Sequence, residues 1–257
     1  MDVMSLYMFT LLGGIAAALY IAETFVVKER DEYRTWKFPL IVTVIFALSL
    51  LMALSHLQNA GNMFEALGRG TINFGSPMFI EVIASGVFFV ALLIDLIISF
   101  TKKVTPNAVR VVVAVLGFIT IVLMGTAYVG VHGVAAWTNA VPTVVMFVST
   151  ALFAGFAFFI AVMRLTYEDK IMKIIFIVLA VLALIGMGLE AFAFNQAGFG
   201  VSLVIAAILF APVLSIVLVA LIGKFKNPQV LSAIICVSVV FGVALSRYAF
   251  YMCATLL

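Results

Sequence analysis

The sequence predicts an all-α integral membrane protein with eight transmembrane helices. Of the 257 residues, 66% are hydrophobic and 10% are charged, whereas a soluble domain is about half apolar and about a quarter charged. The apolar residues are gathered in eight runs, and the basic residues fall mainly in alternate loops between them. Together these observations predict a single polytopic membrane domain, residues 1–257, in a lipid bilayer.

Each apolar run is long enough to cross a hydrocarbon core of about 30 Å as an α-helix. In chain order the runs cover residues 5–27, 37–57, 77–100, 108–130, 141–165, 171–193, 200–223 and 229–254. Pro212 lies in the middle of the seventh run, where it predicts a kink. Eight helices of this length would accommodate two four-helix bundles.

Basic residues predict the orientation of the chain in the membrane. Of the 14 lysines and arginines, all but Arg69 and Arg247 belong to the segments on one side, after the first, third, fifth and seventh runs. The positive-inside rule therefore predicts that both termini lie outside. The formal net charge of +3 indicates no nucleic-acid partner, because these residues lie in short segments between apolar runs.

The sequence lacks the usual ligands for a metal or haem. Cys236 and Cys253 fall in one predicted helix about 25 Å apart, so they cannot form a disulfide with each other. Two cysteines are too few for an iron–sulfur cluster, which takes about four ligands. His56 and His132 both lie near one membrane face, so they cannot ligate a haem within the bundle. We therefore predict no metal site, no haem and no iron–sulfur cluster in this chain.

Ionisable side chains within a bilayer are costly, and each one is a functional candidate. His56 ends the second helix and Glu81 lies one turn into the third, both at the predicted outer face. Glu190 and Arg247 lie toward the outer ends of the sixth and eighth helices. An imidazole with carboxylates and a guanidinium suits a quinol, which loses protons as its electrons leave. We expect His56 and Glu81 to be catalytic.

Other roles are open for these residues at this stage. His56 would also serve as a helix cap, while Glu81 would snorkel to the surface or bond Ser85. Arg247 would equally form a structural pair with Glu190. Two acids near the inner face, Glu23 and Asp95, are expected to snorkel or to pair with loop lysines. Tyr251 is an aromatic candidate for the lining of a quinol pocket, as are other aromatic residues near this face.

Several segments resemble the membrane anchor subunit of the dimethyl sulfoxide reductase family. The similarity is sharpest in MALSHL, FEAL and EVIASGVFF at residues 52–57, 64–67 and 81–89, and in SRYAFY at residues 246–251. Weaker similarity occurs at residues 8–10 and 142–165. Ser246 replaces a glycine that precedes the arginine in the family.

The resemblance implies a haem-free subunit that oxidises menaquinol at the outer face of a bacterial or archaeal cytoplasmic membrane. Its electrons would pass to a four-cluster iron–sulfur subunit and then to a molybdopterin catalytic subunit. The family's quinol-site histidine and glutamate correspond to His56 and Glu81, and its last-helix arginine corresponds to Arg247. From the residues themselves, we expect Ser85, Glu190 and Tyr251 to complete the quinol-binding set.

Two other interpretations are open. A polysulfide-reductase-type quinone-binding subunit would carry a buried ion path across the membrane. A small-solute transporter would place its ligating groups near the midplane, on interrupted helices at matching positions of two halves. A purely structural anchor ranks behind both.

Overall fold

The structure, a computed structural model, describes residues 3–28, 30, 35–56, 65, 68–70, 73–102, 104–131 and 133–254, except for the side chain of His56. It is 82% helix, and the described part has no strand. Within that part, eight helices are long and apolar enough to cross a membrane, as predicted. They are α1 (Val3–Val26), α2 (Lys37–His56), α3 (Pro77–Lys102), α4 (Asn107–Thr126), α5 (Ala140–Val162), α6 (Lys170–Gln196), α7 (Ser202–Ala220) and α8 (Pro228–Met252).

Two helix ends on one side of the bundle differ from the prediction. The fourth helix ends at Thr126 rather than at 130, and a short 3₁₀ helix, Ala135–Trp137, follows before α5. The sixth extends to Gln196 rather than stopping at 193. Gly198 then adopts a φ of +78°, and the Phe199 N–H donates to the Phe194 carbonyl at 2.9 Å. This glycine-based cap satisfies the last carbonyls and fixes where α6 stops.

Helix α7 is interrupted where proline was predicted to kink it. The segment Leu209–Val213 is a π-helical turn that contains Pro212, which has no N–H to donate. The Ser238 hydroxyl of α8 donates to the Phe210 carbonyl at 2.6 Å. The Ser215 hydroxyl donates to the Ala211 and Pro212 carbonyls. Side chains therefore satisfy the backbone oxygens in the irregular turn, as a membrane interior requires.

Helices α1 and α5 form the centre of the molecule. Helix α1 contacts α2, α4, α5 and α8, and α5 contacts α1, α4, α6 and α8. In both helices 67% of the most apolar 18-residue window is buried, against 28% in α3 and α6. The outer helices thus present most of their apolar surface to the surroundings, which is consistent with a lipid bilayer.

Small residues bring the central helices close together. A methyl group added at Gly155 of α5 would clash with the backbone of α1 at Ala18 and Leu19. Gly186 similarly abuts α5, and Gly242 abuts the π turn of α7. A methyl group added at Gly86 or Gly188 would meet nothing within 4 Å. Some glycines of the spanning helices therefore lie at close helix contacts and others do not.

The two ends of the bundle have different character. At one end, here called the terminus side, α1 begins and α8 ends. Thr10 and Tyr251 hydroxyls lie 3.0 Å apart there, and the Ser55 hydroxyl donates to Ser5 at 3.0 Å. The opposite end, here called the basic side, consists of the segments that precede α2, α4, α6 and α8, together with the adjoining helix ends. Each end holds a separate group of buried polar side chains.

Candidate functional site

The basic side carries a network of buried ion pairs, although Arg110 Nε and the hydroxyls of Thr24 and Tyr167 have no partner among the described residues. Arg30 donates from Nη1 and Nη2 to the two oxygens of Asp95, at 3.0 Å each, and from Nε to Glu23 at 2.8 Å. The Tyr20 hydroxyl donates to Asp95 at 2.7 Å. Glu23 and Asp95 are both 0% exposed. The expectation that these acids snorkel or pair with loop lysines is therefore wrong, because they pair with arginines inside the protein.

Arg110 closes the same network from α4. Its Nη2 lies 3.1 Å from a Glu23 oxygen, and the guanidinium also donates to the Val27 and Lys28 carbonyls at 2.7 and 3.0 Å. These carbonyls lie just beyond α1, where backbone oxygens lack helical partners. Two guanidinium groups thus neutralise two carboxylates and tie α1, α3, α4 and the segment after α1 together.

The electrostatics of Arg30 indicate a structural role. Burial lowers the pKa of Arg30, but the hydrogen bonds and charges of Glu23 and Asp95 outweigh burial and raise the pKa above its usual value. A cation with a raised folded-state pKa stabilises the fold at every pH below its ordinary pKa and loses that effect only above it. Arg30 therefore remains charged and paired throughout the neutral range.

The buried acids of the terminus side, unlike Glu23 and Asp95, have no guanidinium partner among the described residues. We call Glu81, Ser85, Tyr128, Glu190, Arg247 and Tyr251 the terminus-side cluster. Glu81 is 4% exposed, and its Oε1 has no hydrogen-bond partner among the described residues. Ser85, four residues along the same face of α3, has an equally unpartnered hydroxyl. Glu81 is therefore neither snorkelling nor bonded to Ser85.

Arg247 is a buried cation that has no ion pair among the described residues. It is 1% exposed, and its Nη2 donates to the Phe147 carbonyl at 2.8 Å and to the Thr150 hydroxyl at 3.2 Å. Its Nε and Nη1 have no partner in the described part of the chain. The alternative role, a structural ion pair with Glu190, is not observed, because no nitrogen of Arg247 lies within 4.0 Å of that carboxylate.

Glu190 is also only half satisfied. It is 2% exposed, and its Oε2 accepts a hydrogen bond from the Ser246 hydroxyl at 2.6 Å. Its other oxygen, Oε1, has no partner among the residues described. Burying polar atoms without hydrogen bonds costs free energy. Atoms left open in three ionisable side chains at one end of a bundle therefore favour a functional site over a structural one.

Two tyrosines connect the members of the cluster. The rings of Tyr128 and Tyr251 meet edge to face at 5.3 Å, and both hydroxyls are electrostatic neighbours of Glu81 and of Arg247. Tyr251 is 1% exposed, and its hydroxyl interacts with that of Thr10. Its ring packs against the rings of Trp137 and Phe250. The structure thus brings Glu81, Arg247 and Glu190 into one neighbourhood through α3, α6 and α8.

Sequence reasoning missed several contributors and left others open. Thr10 contacts Tyr251 and Thr150 contacts Arg247, yet each threonine looks like an ordinary polar residue of an apolar helix. The side chain of His56, and all of His132, lie outside the described residues, so the predicted approach of His56 to Glu81 remains a prediction. The cluster contains hydroxyl donors, carboxylate acceptors and guanidinium donors. It can therefore exchange protons with a hydroxyl-bearing ligand and hold its oxygen atoms.

Comparisons with known proteins leave the family open. A scan against protein-family models gives no match to this chain. A search of curated protein sequences likewise gives no significant match.

Proposed function

We propose that this chain is a quinol-oxidising membrane anchor subunit of the dimethyl sulfoxide reductase family. It would oxidise menaquinol and pass electrons to an iron–sulfur partner subunit, which would deliver them to a molybdopterin catalytic subunit. The observation that carries the proposal is the terminus-side cluster, where buried groups able to move protons have unpartnered atoms. The resemblance of residues 81–89 to the family supplies the identity of the ligand.

The proposed topology places both termini outside a bacterial or archaeal cytoplasmic membrane. The terminus-side cluster then lies at the outer face and the basic side lies inside. Helices α1 to α4 contact one another in sequence and close with α4 against α1, and α5 to α8 do the same with α8 against α5. This pattern of contacts supports an arrangement of two four-helix bundles joined through α1, α4, α5 and α8.

In the proposed reaction, a quinol loses two protons and two electrons and becomes a quinone. His56 accepts one hydroxyl proton, and Glu81 orients the imidazole or accepts a proton itself. Both electrons leave to the iron–sulfur subunit. The Ser85 hydroxyl is placed to bond a quinol oxygen near Glu81, while the open N–H groups of Arg247 are available to a second oxygen or to the carboxylates. Both protons are released on the outer side.

The test is binding of a quinol analogue. The chain, purified with any subunits that accompany it, is titrated with a fluorescent hydroxyquinoline N-oxide, and Glu81→Gln and His56→Arg are compared with the wild type. We expect saturable quenching in the wild type and its loss in both variants. Glu65→Gln is the matched control, because Glu65 lies on the same side but is 56% exposed and paired with Arg69.

Three outcomes separate the alternatives. No binding to a folded wild-type complex would reject the quinol subunit in favour of a transporter or a structural anchor. Binding that survives both substitutions would retain the function and reject the site. Quinol binding accompanied by charge movement across the membrane would favour a polysulfide-reductase-type subunit, although the two acids near the inner face, Glu23 and Asp95, are paired with arginines.

A further inference from the structure

A cleft opens on the terminus side next to Glu190. It has a volume of about 300 Å³ and lies between the 3₁₀ helix with the start of α5 and the end of α6. Its rim includes Thr138, Asn139 and Gln196, which are exposed. The glycine-based cap at Gly198 sets this rim, because it ends α6 one turn beyond the predicted stop.

A second, smaller cavity lies beneath the cleft. Its volume is about 10 Å³, close to the lower limit for one water molecule. Ala136, Pro142 and Ala193 line both spaces, so the two are adjacent. Glu190 lines the smaller one. A single small cavity therefore separates the Glu190 side chain from an open cleft.

The bonding of Glu190 fits a group that exchanges protons. Its Oε2 is held by Ser246, while Oε1 has no partner in the described chain. The fixed oxygen positions the carboxyl, and the free oxygen can receive or release a proton. Arg247 and Cys253 are the titratable groups that face it from α8 and the residue just after it. By contrast, the structural acids of the basic side have guanidinium partners.

We infer that Glu190 is a proton-exchange site, which takes up protons from the other members of the terminus-side cluster and releases them to water through this cleft. In one cycle the carboxylate gains a proton and becomes a carboxylic acid, then returns it to a water molecule in the cleft, which becomes hydronium. The source of the protons rests on the proposed function, since a quinol oxidised near Glu81 would provide them. The exchange with water does not depend on that function.

Infrared spectroscopy of the full chain in lipid nanodiscs tests the exchange directly. The signal is the C=O stretch of a protonated carboxyl group, assigned to Glu190 by its loss in Glu190→Gln and its retention in Glu65→Gln. We expect this band to titrate with pH and to shift on transfer to D₂O. Ala193 lines both the cleft and the cavity. Ala193→Phe would fill part of this space with a larger side chain, so it should slow the D₂O-induced shift of the carboxyl band by about tenfold or more.

A second variant tests the same point in case Ala193→Phe does not fold. Gln196→Trp narrows the exposed mouth of the cleft without filling the interior, and it should also slow the shift. The inference is overturned if Glu190 shows no titrating band, if the band does not shift in D₂O, or if neither folded cleft variant slows the shift.

Enzymatic turnover then separates this inference from the proposed function. With quinol as donor, Glu190→Gln should lower the rate about a hundredfold and change its pH profile. Proton exchange without any quinol oxidation would reject the proposed function and leave the exchange site standing. Quinol oxidation with an unchanged pH profile in Glu190→Gln would reject the relay from the cluster.

Discussion

Charged side chains at the two ends of the bundle differ in how they are neutralised. Asp95 is held by both terminal nitrogens of Arg30 and by Tyr20. Arg247 and Glu190 at the other end lie close in the fold, yet each keeps unpartnered atoms. Since breaking a buried ion pair is strongly destabilising, whereas an isolated buried charge adds no stability of its own, substitutions at the two ends should change stability by different amounts.

The first prediction concerns the ion pairs of the basic side. Asp95→Asn removes the charge that faces Arg30 and leaves Glu23 as its remaining carboxylate partner. Breaking a buried ion pair costs about 3 to 5 kcal/mol, and because Glu23 remains we expect a loss of about 3 kcal/mol in the free energy of unfolding. Thermal or denaturant unfolding of the purified protein measures it. Glu65→Gln, which removes an exposed pair with Arg69, should change little.

The second prediction compares two buried arginines. Arg247→Met replaces a side chain that has two hydrogen-bond acceptors and no ion pair, so stability should change by no more than about 1 to 2 kcal/mol. Arg110→Met removes one of the two guanidinium partners of Glu23 and the donor to the Val27 and Lys28 carbonyls, so it should cost about 3 kcal/mol or more.

The same two variants are then assayed with quinol. Only Arg247→Met should lose quinol oxidation in protein that remains folded. Equal destabilisation by both variants would show that Arg247 is a structural residue, despite its two unpartnered nitrogens.

At the scale of elements, close contact between α1 and α5 depends on a glycine. Helix α5 presents Gly155 directly to the α1 backbone at Ala18 and Leu19, whereas Gly188 of α6 faces open space. Membrane helices gain little from burying apolar surface against each other, since lipid is equally apolar. Their association relies instead on close packing, which small residues permit.

The third prediction follows from that contrast. Gly155→Ala should force α1 and α5 apart and lower stability by about 1 to 3 kcal/mol, the usual cost of overpacking. Gly188→Ala adds the same methyl group without a clash and should leave stability unchanged or raise it by up to about 1 kcal/mol, because alanine favours the helix. Unfolding of the two purified variants under identical conditions provides the comparison. Equal losses would contradict the packing role of Gly155.

For the whole molecule, hydropathy and charge were sufficient to predict the number of helices and most of their bounds. A run of apolar residues must form its hydrogen bonds within its own segment in a bilayer, so its length determines a spanning helix. Which buried charged side chains pair with each other in three dimensions was harder to predict. Nothing in the local sequence indicates that Glu23 contacts Arg30 and Arg110, because these partners come from different segments and only packing brings them together.

The candidate site was predicted in part for the same reason. Glu81, Glu190 and Arg247 were identified because ionisable residues are rare in membrane spans. How these side chains are arranged relative to one another was not predicted, since Arg247 and Glu190 are neighbours that form no ion pair with each other. Thr10 and Thr150 were missed because nothing in the local sequence distinguishes a threonine that binds a functional residue from one that bonds its own helix.

The fourth prediction is the orientation of the molecule, on which the direction of proton release depends. Thr138 is exposed on the terminus side and Glu168 on the basic side, and the native cysteines Cys236 and Cys253 are buried. In intact cells, a membrane-impermeant maleimide should label Thr138→Cys, whereas Glu168→Cys should react only after permeabilisation. The reverse pattern would place the terminus-side cluster and its cleft toward the cytoplasm, where protons would be released inside. A quinol oxidase of that orientation would be incompatible with the function proposed above, even if Glu190 exchanged protons as inferred.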